Sequence, residues 1–384
     1  ENIELYLDHK KSCEATYIGS EQSLLAGHPF HPYPKARAGM ERDDLLLYSP
    51  ECNTSIFLVW YKIEKNRIGS NLQVSELLKK ISELKSFEGI EDDETNSTYM
   101  PIHPWQWDNF LKTNKDLVSG EFKLGKNKWS ILSSMRSLYH PQAPMLVKFS
   151  LSLRMTNSIR HLQPNEAIRG NQIKEFFDKE NLSEKIKGFE ILHEPFYMSL
   201  LDEENRETPA FTVQFRENFK QSDNDYFLLS TLVEKGLRKS NDPIIVRDWF
   251  QAFLDNVLTS FLTLSCEYDV LLGAHMQNII IELKNGLPSK AIYRDCQGTG
   301  FTLKGYEKYH QNYNFIDPDN GNVLNASDIQ KVYGYYLIVN TCFGVISSLS
   351  NYEKEEERKL LTYLRNFLVA FAQNYPKPHQ QPTP

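Results

Sequence analysis

Cysteine is scarce in this 384-residue chain and never paired in sequence. Cys13, Cys52, Cys266, Cys296 and Cys342 are scattered, odd in number and without a CxxC spacing. That argues against a zinc ribbon and for a reducing, cytoplasmic setting. There is no GxGxxG, which removes the phosphate loop a hydroxyl-phosphorylating kinase needs, and no GxSxG or other nucleophile signature, which removes the serine and cysteine triads. The opening "ENIELYLDHKK" is charged and has no apolar h-region, so nothing marks a signal peptide. Positive charge is not in excess: a net charge of -7 argues against non-specific nucleic-acid binding and makes any anion site a local one. Long hydrophobic runs are also lacking, apart from "VYGYYLIVNTCFGVISSLS" (332–350). Its Asn340, Thr341 and closing serines point to a buried core helix and not to a membrane span. The chain has no internal repeat and no low-complexity tract.

What is present supports a sizeable interior. Hydrophobic residues make up 40% and aromatics 12%, and the length favours two domains. "MLVKFSLSLRMT" (145–156) alternates apolar and largely polar residues and predicts a strand, and "WSILSSMRSL" (129–138) predicts a second. Joined through "YHPQAP", they form a hairpin in which Arg136 faces Lys148 and Ser134 faces Ser150. Like charges across a ladder are destabilising unless an anion lies between them, so this register predicts an anion site. "FEGIEDDETNST" (87–98) reads as a solvated loop, while 249–270, 331–349 and 357–372 carry helical apolar spacing. Within that helical half, "NIIIEL" (278–283) and "AIYRDCQG" (291–298) flank an Asn-Gly turn and predict a hairpin that brings His275, Gln277 and Asn278 toward Asp295.

Three groups of residues carry possible chemistry. Asn and Asp at the open end of a hairpin suit magnesium on a nucleotide, because magnesium takes few hard oxygen ligands and keeps waters. An ordinary hairpin with polar ends has the same pattern. Ser134, Arg136, Lys148, Thr156, Asn157 and Arg160 form a set of cations and polar groups suited to phosphates, or simply a solvated sheet face. "GHPFHPYPKARAGM" (27–40) and "MPIHPWQW" (100–107) supply His28, His31, Lys35, Arg37 and His103 on proline-stiffened backbone. Without acidic or cysteine partners at zinc spacing, such a set suits a polycarboxylate better than a metal.

Taken in order, "GHPFHPYPKARAG", "IHPWQ", "SSMRSL…VKFSLSLRMTNSIR" and "GAHMQN…YRDCQG" resemble the siderophore synthetases that work without a peptide-synthetase template, the NIS or IucA/IucC-like family. The resemblance runs from about residue 25 to about residue 300, with a looser helical match beyond. It implies an α+β, cupped-hand fold: an antiparallel-sheet fingers domain over 1–218 and a mainly helical palm over 219–384 with a metal-binding hairpin. The N-terminal thumb is expected to be missing or truncated. It further implies adenylation of citrate or a related polycarboxylic acid by ATP with Mg2+. An amine or hydroxyl nucleophile then gives an amide or ester, with release of AMP and pyrophosphate. By position, Ser134, Arg136, Lys148, Thr156, Asn157, Arg160, His275, Gln277, Asn278 and Asp295 would contact nucleotide, with Gln277, Asn278 and Asp295 on the metal. His28, His31, Lys35, Arg37, His103 and Arg160 would take the acid, and Lys148, Arg160 and His275 would act in catalysis. Substitution of Lys148 or Arg160 by Ala is expected to lower adenylation with the fold intact. The chain departs from the family at Gly273, where many members carry Glu. A cytoplasmic homodimer, without nucleic-acid or membrane partners, completes the expectation. The alternatives from other classes are a kinase-like phosphotransferase and a non-catalytic binder of a polycarboxylate or iron chelate.

Overall fold

The structure, a computed structural model, describes residues 16–27, 33–92, 95–113, 121–156, 158–218, 221–237 and 242–375. His28, His31 and Asn157 therefore lie outside the described residues. The chain divides into two compact units. The first comprises residues up to Asn181, then Ile191–Asp223 and Arg294–Gln297; the second comprises Leu182–Glu190, Asn224–Tyr293 and the rest from Gly298. The expected division at 218/219 is close to one crossing point but misses two exchanges. The segment 182–190 belongs to the second unit, and 294–297 returns to the first, where Arg294 and Asp295 find buried partners of opposite charge.

The first unit is built on an eight-stranded antiparallel sheet. Its spatial order is Ile68–Gly69, Phe196–Leu201, Glu207–Glu217, Met145–Phe149, Ser137–Tyr139, Phe122–Ile131, Ser55–Glu64 and Ser97–Ile102. Because side chains alternate across a strand, Val147, Phe149, Val213 and Phe215 fall on one face and enter the main apolar core. Lys148, Gln214 and Arg216 fall on the other. This second face is not solvated: the helix Pro164–Glu180 lies over it, with Gln214 donating to the Ala167 carbonyl at 3.2 Å. That helix begins at Pro164 behind a Gln163/Glu166 capping box and ends at Asn181, whose φ of 53° is left-handed.

Two features of the strand pair differ from the sequence expectation. The predicted strand 129–138 is interrupted at 132–136 by a tight turn with Met135 at φ 63°. The ladder then pairs Ser137 with Lys148, one residue away from the expected Arg136 partner. The predicted strand 145–156 also breaks, at Ser150, whose amide donates to Thr212 O and whose hydroxyl accepts from Leu162 N. Beyond the break, Leu151–Met155 joins a small sheet with Arg37–Ala38 and Ser158–Arg160.

In the second unit the expected Asn-Gly hairpin is present, but its second strand runs over Leu287–Arg294 and not 291–298, because the tight turn lets pairing start at Leu287 and Cys296–Gly298 forms a helical turn. Ile279–Lys284 pairs antiparallel with Leu287–Arg294 around Asn285 and Gly286, both with positive φ, the conformation an Asn-Gly hairpin turn requires. Helices Pro243–Phe253 and Thr259–Glu267 continue through Leu254–Leu258 and bury Phe250, Phe253, Leu254, Val257, Leu258 and Phe261. The apolar helix spanning Ala326–Ser350 is long and apolar enough to cross a membrane by composition. Here it packs within its own unit, burying Leu337, Cys342, Val345, Ile346 and Leu349, and the buried Asn340 and Thr341 hydrogen bond to neighbouring backbone.

Candidate functional site

The polar face of the large sheet carries a cluster of charge. Lys148 is 3% exposed, and its ammonium donates to Asp295 Oδ1 at 2.6 Å and to Glu194 Oε1 at 3.2 Å. Arg216, two residues along the neighbouring strand from Gln214, donates through Nε to the same Glu194 oxygen at 3.1 Å and through Nη2 as well, and lies 3.9 Å from Asp295. Glu194 is fully buried and its Oε2 has no hydrogen-bond partner. The close approach of the covering helix is allowed by Gly170: a Cβ there would meet Glu194 Cβ at 2.7 Å and Gln214 Nε2 at 2.8 Å.

Two more cations border this cluster. Arg136 reaches the Arg160 carbonyl through Nη1 at 3.3 Å, and Arg160 donates to Thr156 Oγ1 at 2.8 Å. Thr156, at φ 53°, follows Met155, which pairs with Ser158, and is held by its amide to Ala36 O at 3.3 Å. Ser134 Oγ accepts from Ser137 N at 3.2 Å and shapes the turn before the strand.

The electrostatics define what this cluster can take. Asp295 is dehydrated, which would raise its pKa, but Lys148, Arg216 and Arg136 outweigh this and hold it far below the usual carboxylate range. Burial also opposes the charge on Arg216, yet Glu194 and Asp295 raise its pKa on balance. Arg136 and Arg160 are lowered, mainly by burial, with Asp295 only partly offsetting it. Lys148, Arg216, Arg136 and Arg160 thus face the two carboxylates of Asp295 and Glu194, an excess of two positive charges. Glu166 nearby is matched by Arg169. Dehydrated guanidinium groups short of counter-charge are complementary to a polyanion such as a phosphate chain.

Asp295 is an ionised hard-oxygen donor with a third of its side chain exposed. Among the described residues no group of three His, Cys, Asp or Glu side chains could hold a metal alone. Of Asp295 and Glu194, Asp295 alone would offer a divalent ion an exposed oxygen, and magnesium, which takes few protein ligands, completes such a shell with amide or phosphate oxygens and water.

The remaining predicted residues are placed differently. Lys35 donates to Leu24 O at 2.7 Å and lies 3.6 Å from Glu51, while Arg37 pairs with both Glu51 oxygens at 2.7 and 2.9 Å and with Ser49 Oγ. The buried Glu51 carboxylate is lowered by Lys35 and Arg37 against the effect of its own burial. Arg37 is thus committed to an internal ion pair. His103 is not with the cations: its ring is buried between Tyr48 and Phe149, its Nδ1 accepts from Trp105 N at 3.2 Å, and burial pushes its pKa to about 3. A neutral core imidazole offers no charge to a carboxylate. The polar tie from that motif is Gln106, which brackets Ser152 through its backbone amide at 2.7 Å and its hydroxyl at 2.9 Å. His275, Gln277 and Asn278 are partly buried on the second unit, where Asn278 Nδ2 approaches Gly273 O at 3.4 Å.

Sequence reasoning missed Glu194, Arg216, Gln214, Arg294 and Glu21. Arg294 is buried against Glu21 at 2.5 Å, with Tyr17 Oη at 3.2 Å, and Glu21 raises its pKa despite burial. The alternation in "FTVQFRE" (211–217) is a legible signal for Gln214 and Arg216; Glu194 in "LHEPF" and Glu21 have no local signal.

Residues 16–234 match the family described as IucA / IucC, and residues 247–383 match a family described as ferric iron reductase FhuF-like transporter. The chain is 28% identical to N(2)-citryl-N(6)-acetyl-N(6)-hydroxylysine synthase of Vibrio mimicus, over 92% of this chain and 65% of that protein. It is also 28% identical to spermidine-citrate ligase of Bacillus anthracis, over 97% of this chain and 68% of that protein. It thus spans about two thirds of the length of these curated relatives. Among solved structures, the ATP-bound aerobactin synthetase IucA of a hypervirulent Klebsiella pneumoniae superposes with a TM-score of 0.84 at 25% identity, covering 97% of this chain and 72% of that one. The petrobactin biosynthesis protein AsbB of Bacillus anthracis shares the fold, with a TM-score of 0.78 at 19% identity, covering 98% of this chain and 72% of that one.

Proposed function

The chain belongs to the IucA/IucC family, and we propose that it is an ATP-dependent acid–amine ligase of siderophore assembly. It activates one carboxylate of citrate or a related polycarboxylic acid and condenses it with an amine or hydroxyl. The observation that carries this reading is the surplus of two cations around the ionised Asp295 on the covered face of the large sheet. The reading is supported by relatives whose names are citrate ligases of amines and by the ATP-bound state of the similar aerobactin synthetase.

In this reading the acid's carboxylate oxygen attacks the α-phosphorus of ATP and pyrophosphate leaves. The nucleophile then attacks the acyl carbon of the adenylate, AMP leaves, and the amine or hydroxyl loses its proton to give amide or ester. Two anions must be brought together for the first step, so positioning and charge neutralisation carry most of the catalysis. Arg136 and Arg160, dehydrated and partly exposed, take phosphate oxygens. Lys148 and Arg216 keep Asp295 ionised and fixed, and Lys148 acts on the phosphate charge through that ion pair. Asp295 is the residue that would hold magnesium, whose contribution when bound is further neutralisation of the phosphates. The roles of His275, Gln277 and Asn278 toward nucleotide and metal rest on the motif pattern. Lys35 serves the acid side indirectly, through the Glu51 ion pair that fixes the segment leading to Arg37–Ala38.

A hydroxylamine trap with ATP and magnesium, run over citrate, 2-oxoglutarate and succinate with assay of AMP and pyrophosphate, tests the proposal. Hydroxamate formed together with AMP is the expected result and names the acid. Release of ADP, or an acid that binds equally with and without nucleotide and is never converted, would overturn it.

A further inference from the structure

The helix spanning Ala326–Ser350 widens between Tyr333 and Cys342 and closes with Phe343 N donating to Ile338 O, five residues back. Such wide turns are costly and recur at functional sites, because they re-aim side chains that a regular helix would rotate away. Here two successive residues, Asn340 and Thr341, both turn inward and are buried. Asn340 Oδ1 accepts from Met276 N at 3.0 Å, and Thr341 Oγ1 donates to Ala274 O at 2.8 Å. One turn further on, Gly344 leaves room for the Met276 side chain; a Cβ there would stand 2.8 Å from Cε and 2.9 Å from Sδ. The Tyr336 ring lies 5.7 Å from that of His275.

All these contacts meet one short irregular segment. Its backbone doubles back on itself, with Ala274 N donating to Leu272 O, His275 N to Gly273 O and Asn278 N to His275 O at 2.8 to 2.9 Å. Burial alternates along it: Ala274 and Met276 are buried, while His275, Gln277 and Asn278 are partly exposed. The helix grips the buried residues, and the side chains that alternate with them reach the surface in part. A purely packing role would be met by apolar residues at 340 and 341, whereas two buried polar groups bonded to the backbone of another segment specify its position.

We infer that Asn340 and Thr341, on this widened turn, are positioning residues that set His275, Gln277 and Asn278 for the nucleotide and its metal. The inference rests on the ligase reading above. The Thr341→Val and Thr341→Ser variants of the full chain, with Asn340→Leu beside them, separate positioning from stability. Val matches Thr in shape but lacks the hydroxyl, and Ser keeps it. Thr341→Val and Asn340→Leu are expected to raise the KM for ATP with magnesium about tenfold, as losing one such buried bond would. The KM for the acid is expected to stay unchanged, and Thr341→Ser to recover most of the loss. Hydrogen exchange at the Met276 amide is expected to quicken in folded Asn340→Leu.

Unchanged ATP dependence with unchanged exchange overturns the inference. So does parallel loss for ATP and acid that Ser fails to correct. If the unaltered protein binds no ATP and releases no AMP, the ligase reading falls, and this inference with it. If it does both while the variants behave like it, only the inference falls.

Discussion

Acid should weaken this protein through two imidazoles that the fold keeps neutral. His103 is fully enclosed in the main core and His193 is nearly so, with Phe177 against its ring; burial depresses both to about 3 from an ordinary 6.5, and Lys174 adds to the effect at His193. A group whose folded pKa lies below its unfolded value contributes stability that is complete above the unfolded pKa. The contribution is then lost as pH falls toward the folded one. The window here is about 6.5 down to about 3. At about 1.4 kcal/mol per pH unit and proton, each histidine withdraws about 2 kcal/mol between pH 7 and pH 5. Two of them remove about 4 kcal/mol, a large part of a stability of about 5–15 kcal/mol. Urea unfolding followed by tryptophan emission at pH 7 and pH 5 reads this directly, since Trp60, Trp105, Trp107 and Trp129 of the five tryptophans lie in the first unit. His103→Gln should lower stability at pH 7, because the Trp105 amide loses its fitted acceptor, yet shrink the pH 7 to pH 5 loss by about 2 kcal/mol. An identical pH-dependent loss in His103→Gln and the unaltered protein would show that His103 does not sit neutral in the core.

Lys148→Ala and Arg160→Ala should now part company, contrary to the expectation that both leave the fold intact. Removing Lys148 leaves Glu194 and Asp295 short of a partner at a cost of about 3–5 kcal/mol, whereas Arg160→Ala should leave the melting temperature nearly unchanged and weaken ATP about tenfold. Calorimetry with nucleotide titration compares the two, and equal melting temperatures would contradict the buried network. Gly170→Ala should cost about 1–3 kcal/mol by pushing the covering helix off Glu194 and Gln214, with loss of nucleotide affinity; a variant normal in both respects would mean the helix seat is slack. Glu21→Gln should destabilise the first unit by about 3–5 kcal/mol by leaving Arg294 without its carboxylate, measured by the same urea unfolding.

Much of the architecture could be read from local pattern. The hairpin at 279–294 followed from the Asn285-Gly286 turn, and the helix around Phe250 to Phe261 from its apolar spacing, because both signals are intrinsic to a few consecutive residues. The alternation at 145–155 placed Lys148 on a polar strand face, but whether that face met water or another element depended on where the helix Pro164–Glu180 docked. The one-residue register difference at Ser137 came from the turn at 132–136, where Met135 takes a left-handed conformation that its sequence does not advertise. His103 and Arg37 were drawn into the acid site because stiff, proline-flanked imidazoles and cations resemble ligand residues. The structure shows their partners to be Tyr48, Phe149 and Glu51, two of which lie far along the chain. Glu194 could not have been found locally, since its importance arises only when Lys148 and Arg216 converge on it.

The short return of Arg294–Gln297 to the first unit bears on the order in which the nascent chain can mature. When Asp223 leaves the ribosome, all eight strands of the large sheet exist, yet Lys148 and Arg216 lack Asp295, and Glu21 lacks Arg294. Half-compensated charge in a dry interior resists closure. The first unit is therefore expected to close fully only after the second unit's hairpin has been synthesised and Arg294–Gln297 have joined it. Separate expression of residues up to Asp223 should give an aggregating or expanded product, and co-expression of the remainder should be needed to restore it.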